Sequence, residues 1–357
     1  MPSSRVIVGD AATVLRGMDA AMAERRIARE YGLLMGGRGM TPQAPFPWFG
    51  GKSRVADLVW QRVGNVPNYV EPFFGSGAVL LARPHPPGTE TINDKDGYVA
   101  NFWRAVKHDP EAVAEWADNP VSENDLHARH AWLLQYKDGL VSRLEGDPDW
   151  HDPKIAGWWC WGICCWIGSG FCSGDGPWQV LDGKLVHLGN AGRGVNRQLV
   201  HLGRGWGVNR KRVQLLPWFA ALSERLRNVR VCCGDWTRVC GPTPTVYMGT
   251  TGVFLDPPYS AEAERAELYT AEDMSVAHAV AEWAREHGDD PAYRIALCGY
   301  EGEHVMPDDW ECVAWKALGG YGSQGQGRGR DNCHRERIWF SPHCLGARQM
   351  ELEGTGA

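Results

Sequence analysis

From Trp48 onward the chain alternates short apolar runs of strand period with longer stretches of helical period. That alternation confines it to an open sheet with helices laid on its faces. Tyr69–Val70, TIND at 91–94, VRVCC at 229–233, GVFLD at 252–256, YRIALC at 293–298 and ERIWF at 336–340 read as strands. Between them, Ser53 is placed to cap a helix running to about Val63, AVLLAR begins a second at Ala78, and GYVANFWRAVK forms a third. SVAHAVAEWAREH supplies a fourth, between GVFLD and YRIALC. A strand, helix, strand rhythm of this kind predicts parallel neighbours joined by crossovers.

The rhythm breaks between residues 119 and 228. Ser122 opens a long polar helix, SENDLHARHAWLLQYKDGLVSRL, and Asp152 and Pro153 stand at the N-cap and first position of an unusually apolar one, KIAGWWCWGICCWI. Gly168, Gly170, Gly174 and Gly176 then dissolve the pattern into loop. The expected organisation is an extension at 1–44, a sheet domain built from 45–118 and 229–345, an insertion at 119–228 and a tail at 346–357. Inside the insertion lies a short duplication, HLGNAGRGVNRQ from His187 and HLGRGWGVNRKR from His201. It reads either as a local structural repeat or as a binding element. Charge favours the second: seven Lys or Arg fall between residues 184 and 212, and no acid follows Asp182 until Glu224. A cationic stretch rich in glycine can lie close along a phosphate backbone. The Gly-rich GGYGSQGQGRGR at 319–330 reads as a loop near the same ligand.

Composition narrows the class. Hydrophobic residues at 43% and charged residues at 22% are ordinary for a globular chain. No run of eighteen apolar residues occurs and MPSSRVIVGD has no signal-peptide layout, so a cytoplasmic protein with no membrane partner is expected. The net charge of -6 rules out a globally basic coat, and any polyanion must be met by a local patch. Eleven cysteines without a CxxC read as reduced, buried small hydrophobes, and no metal is expected. Cys160, Cys164, Cys165 and Cys172, with His187 and His201, leave zinc as the alternative.

Three strings carry chemistry. EPFFGSG at 71–77 turns tightly where the first strand meets its helix, PFPWFGGK at 45–52 brings an aromatic ring and a lysine to the start of another, and LDPPY follows an apolar strand. Two prolines cannot sit inside a central strand, so the last string marks a stiff corner at a strand end. Taken in this order, PFPWFGGK, YVEPFFGSGAV, TINDKD and FLDPPY, with VCCGDW and ERIWFSP, resemble the DNA adenine methylase family, the D12-class N6-adenine-specific DNA methyltransferases. The Trp-rich segment and the HLG repeats look like those of phage-borne members.

The resemblance implies a Rossmann-like, S-adenosylmethionine-dependent methyltransferase fold. Its parts would be a mixed central sheet with helices on both faces and an inserted, mostly helical and loop, target-recognition domain. It implies S-adenosyl-L-methionine as cofactor, double-stranded DNA as partner, and a restriction endonuclease as a further partner or none. Glu71, Phe73, Gly75 and Gly77 would shape the methionine end of the donor pocket, Asp94 would accept from the ribose hydroxyls, and Asp235 and Trp236 would flank the donor's adenine. Lys52 would pair with the donor's carboxylate and Trp48 face its cationic side. A core tryptophan remains the alternative for Trp48, and a helix cap for Asp235.

An exocyclic amine on adenine is a poor nucleophile because its lone pair is delocalised into the ring. Acceptors at its N–H groups push the nitrogen toward a tetrahedral, more nucleophilic form. An ionised Asp256 is acceptor-only, and the Pro257 carbonyl gives a second oxygen, while Pro258 stiffens the corner and Tyr259 offers a ring on which an everted base stacks. Arg193, Arg197, Arg204, Arg210, Lys211 and Arg212 are the expected DNA contacts. Cytosine-N4 methylation shares this chemistry, although Ser is more usual there in place of Asp256. A catalytically inactive DNA-binding relative is the remaining alternative.

Overall fold

A computed structural model of the chain describes residues 43–48, 50–167, 171–172, 178–181, 184–187, 215–242, 246–258, 271–315 and 334–346. Tyr259, the six cationic residues from Arg193 to Arg212, most of the 1–44 extension, the Gly-rich 319–330 string and nearly all of the C-terminal tail lie outside them.

The elements run α1 (Ala56–Val63), β1 (Asn68–Glu71), α2 (Ala78–Leu81), β2 (Thr89–Asp94), α3 (Gly97–His108), α4 (Pro110–Ala117), α5 (Glu123–Leu134), α6 (Lys137–Gly146) and α7 (Pro153–Cys165). A small hairpin, β3 (Trp178–Leu181) with β4 (Lys184–His187), precedes α8 (Leu215–Leu226), β5 (Val229–Cys233), α9 (Thr237–Cys240) and β6 (Thr251–Leu255). The chain closes with α10 (Ala271–Gly288), β7 (Tyr293–Tyr300), β8 (Glu311–Ala314) and β9 (Glu336–Phe340). Seven strands form one sheet in the order β5-β2-β1-β6-β7-β9-β8. Pairing from β5 through β7 is parallel, and β9 runs antiparallel to both of its neighbours.

Both faces of this sheet are covered, and the period-2 alternation of strand side chains decides which residue goes where. Tyr69, Phe254, Ala296, Cys298, Ile338 and Phe340 join the larger core with α1, α3, α7 and α8. Val70, Val253, Leu255, Ile295, Leu297 and Trp339 point the other way, into a second core with α9 and α10. The mixed sheet with helices on both faces is the expected fold class.

Helix starts follow side-chain capping. Asp96 accepts from the Tyr98 amide at 2.8 Å to begin α3, and Asp152 accepts from Ile155 at 2.9 Å to begin α7, with Pro153 in the first turn. Ser53 does not cap α1. The Lys52 carbonyl takes the Val55 and Ala56 amides, both at 3.1 Å, so Ser53 lies within a preceding turn and the helix begins three residues later.

The expected single helix from Ser122 is two helices. The Tyr98 hydroxyl donates to the Leu133 carbonyl at 2.6 Å, and the Tyr136 amide closes a tight turn on the same oxygen at 2.9 Å, which ends α5. The helices α4, α8 and α9, the β3–β4 hairpin and β8 went unpredicted. The hairpin falls where only loop was expected, with Asp182-Gly183 standing between its strands in sequence. Within the 119–228 stretch, α7 packs on α4, α3 and α5, and α8 on α4 and α3. Trp159, Trp161, Phe219 and Leu222 therefore share one core with Phe102 and Trp103 of the sheet's own helix layer.

Candidate active site

Strand order reverses beside β1: the chain moves outward from it to β2 and β5, then returns to β6 on its other side and continues to β7. Open α/β sheets bind ligands at such a switch point, outside the carboxyl ends of the strands. The register brings four ends to that edge. Glu71 closes β1 opposite Ile92, Asp94 closes β2 opposite Cys233, and β6 ends at Leu255, directly before Asp256.

The loop after β1 is clasped from several sides. Gly75 donates its amide to Asp94 Oδ2 at 2.8 Å, and its carbonyl accepts from Trp103 Nε1 at 2.8 Å. Gly75 and Gly77 have φ of 48° and 64°, the left-handed region that favours glycine. A Cβ on Gly75 would run into the Trp48 indole, so that ring lies directly against the loop. Asp94 Oδ1 accepts from the Asp96 amide at 2.9 Å. Burial, and then the neighbouring Asp96 charge, push the Asp94 carboxyl up to about 7.

Glu71 lies deeper. Its Oε2 accepts from the Tyr69 hydroxyl at 2.9 Å and from the Leu80 amide at 3.2 Å, and burial pushes its carboxyl up to about 8. Phe73 and Trp236 face one another from the loops after β1 and β5, with ring centroids 6.3 Å apart and planes 30° from parallel. Asp235 is exposed and accepts from the Thr237 amide at 3.0 Å, an Asx turn leading into α9, whose N-cap residue is Trp236 and has no side-chain cap bond.

At the end of β6, Asp256 is half-buried, Pro257 buried and Pro258 half-buried. Asp256 Oδ1 sits 2.9 Å from Lys52 Nζ, and Lys52 also donates to the Gly50 carbonyl at 2.8 Å. Lys52 is only 4% exposed. Burial works to lower its pKa, but the charges of Asp256 and Glu336 raise it above the ordinary value, so the ammonium form is held. The Trp315 ring lies 5.7 Å from that ammonium.

The structure thus brings Trp48, Gly75 and Asp94 into one clasp, Lys52 and Asp256 into one ion pair, and Phe73 and Trp236 into one facing pair. Asn93, Trp103, Trp315 and Glu336 complete the arrangement and were not singled out from sequence. β2 reads TETIND, with Ile92 its only apolar residue, so no sequence signal set Asn93 apart from its polar neighbours. Trp103, in a helix with an apolar face, offered none. Among the described residues no group of three His, Cys, Asp or Glu side chains could hold a metal ion. Cys164 instead donates to the Pro45 carbonyl, at 3.5 Å.

A family model, the D12 class N6 adenine-specific DNA methyltransferases, matches residues 48–132, from the ring on Gly75 through the whole β1–β2 clasp. Over that span the chain is similar to that family. It is an enzyme that methylates adenine N6 in DNA with S-adenosylmethionine as donor. No curated protein matched the sequence. The matched span ends within α5, so Asp256 and its prolines enter through the sheet, by the position of β6 beside β1. Its crevice fits a nucleoside-bearing donor: a carboxylate ends β2, a side-chain-free turn lies under an indole, and an aromatic pair spans two of the loops. Among the described residues no helix is long and apolar enough to cross a membrane.

Proposed function

We propose that the donor lies across the carboxyl ends of β1, β2 and β5, and that the target adenine is held at the corner after β6. Asp94 would accept from the ribose hydroxyls, Phe73, Trp236 and Asp235 would border the donor's adenine, and Glu71, Gly75, Gly77 and Trp48 would wall its methionine end. Bound there, the donor supplies a methyl group already activated on a sulfonium, so this chain's work is alignment and electrostatics.

The observation that carries this reading is the Lys52–Asp256 ion pair at the end of the switch-point strand. A fixed ammonium 2.9 Å away holds the Asp256 carboxylate turned in one direction. Carboxylate and Pro257 carbonyl then accept from the two N–H groups of the amine, localising its lone pair on nitrogen, and Tyr259 stacks on the base once it is turned out of the duplex. When the donor's methyl passes to the amine nitrogen, the proton the amine releases would be taken by the Asp256 carboxylate that accepts from it. In this role Lys52 serves the acceptor base and not the donor's carboxylate, a revision of the sequence expectation that its ion pair with Asp256 motivates.

Recognition of flanking sequence falls in this reading to the 119–228 unit, with Arg193, Arg197, Arg204, Arg210, Lys211 and Arg212 along the phosphates. The test is incubation with labelled donor and mixed-sequence DNA, followed by digestion to nucleosides. Wild type is expected to give N6-methyladenine, and Asp256→Ala none, with donor affinity held within about threefold. Full transfer by Asp256→Ala would remove the mechanism, and label recovered on cytosine would overturn the base assignment.

A further inference from the structure

Asn93 precedes Asp94 at the end of β2 and is 1% exposed. Its Nδ2 donates to the Pro72 carbonyl at 3.1 Å and to the Gly234 carbonyl at 2.9 Å. Pro72 belongs to the loop after β1 and Gly234 to the loop after β5, so one side-chain amide ties two loops that are separated by the strand it stands on. The backbone repeats the tie: the Phe74 amide donates to the Asn93 carbonyl at 3.0 Å, and the Gly234 amide to the Asp94 carbonyl at 3.1 Å. Phe73 and Trp236, the facing aromatic pair, lie one or two residues beyond the tied carbonyls.

Two acceptors require the NH2 group between them, which fixes the amide's orientation. Asn93 Oδ1 is thereby left buried with no hydrogen-bond partner among the described residues. An orphaned buried acceptor is unfavourable by about 1–3 kcal/mol. An asparagine held here despite that penalty is held for its two N–H groups.

We propose that Asn93 is a positioning residue for the methyl donor, setting the separation of the post-β1 and post-β5 loops so that Phe73 and Trp236 stand at the spacing the donor requires. This rests on the donor placement proposed above. The side chain touches no reacting atom. It acts by keeping the crevice open to one width.

The test measures S-adenosylmethionine affinity by calorimetry for wild type, Asn93→Ala, Asn93→Asp and Gly75→Val, with melting of each ligand-free protein. Asn93→Asp keeps the shape but turns lone pairs toward both carbonyls. A loss of donor affinity on the order of tenfold is expected at pH 8, one hydrogen bond's worth. As pH falls and the new carboxyl takes a proton, it regains one donor, so the ratio of variant to wild-type Kd should shrink. Taking the ratio cancels the titration of Asp94, which both proteins share.

Gly75→Val, which drives a side chain into the Trp48 indole, tests the site itself. Unchanged donor affinity in Gly75→Val would sink the donor placement whatever Asn93 does. Loss of affinity in Gly75→Val, with both Asn93 variants within about twofold of wild type and only their melting lowered, would overturn the positioning role and leave the placement standing. Should the Asn93 variants not fold, hydrogen exchange on wild type decides. The Phe74 and Gly234 amides are expected to gain protection together when the donor is added, and independent behaviour of the two would refute the tie.

Discussion

Lys52 shows how one side chain acquires a role through its backbone. Its carbonyl starts α1 while its ammonium reaches Asp256, so the residue is anchored at one end before it acts at the other. Lys52→Met is expected to lower methyl transfer by about a hundredfold, the scale of losing one preorganised electrostatic partner, with donor affinity little changed. Calorimetry beside single-turnover kinetics separates the two, and a collapse of donor affinity would restore the carboxylate-binding role. Glu71 predicts a pH effect on stability. Its carboxyl rises from an ordinary 4.5 to about 8 on folding, so between those values the native state binds more protons than the unfolded state. Stability from this group is therefore present at acid pH and lost as pH rises toward about 8. Glu71→Gln keeps an oxygen for Tyr69 and Leu80 and should flatten that fall, read from urea midpoints at pH 6 and pH 9.

At the scale of elements, capping chemistry was legible and tertiary interruption was not. Asp152-Pro153 announced α7 because an acid that accepts from N3 and a proline in the first turn are local signals. Asp109-Pro110 is the same signature and begins α4, yet it follows so closely on the end of α3 that no loop separates the two in sequence. Ser122 marked the start of α5, whereas its end is set by the hydroxyl of Tyr98, an atom on another helix. The site divides the same way. Glycine turns, the Asp-Pro-Pro corner and the acid ending β2 are visible as strings, while the pairing of Lys52 with Asp256 and the tie made by Asn93 depend on which strands become neighbours. Asp152→Ala should destabilise the protein by about 1 kcal/mol, measured as a lower denaturation midpoint with an unchanged slope.

Over the whole molecule, the 119–228 stretch is less separate than its sequence suggests. Its helices α5, α7 and α8 bury Leu133, Trp159, Trp161, Phe219 and Leu222 in the larger core that also covers one face of the sheet. Loss of the strand-helix rhythm marks a change of pattern in the sequence but does not distinguish an inserted unit from extra helices added to an existing layer. The cationic 184–212 run belongs to the same stretch, and Arg197→Ala with Arg210→Ala should weaken DNA binding while reducing the slope of log K against log salt by about two. An unchanged slope would return the repeats to a structural role. The pairing of β1 with β6 has a temporal consequence. These neighbours lie some 180 residues apart in the chain, so a ribosome must make the whole intervening stretch before the centre of the sheet can close. Until then β1 presents an unpatched edge to any passing strand, and the nascent protein is exposed to aggregation at the very place where the Asp256 corner will form.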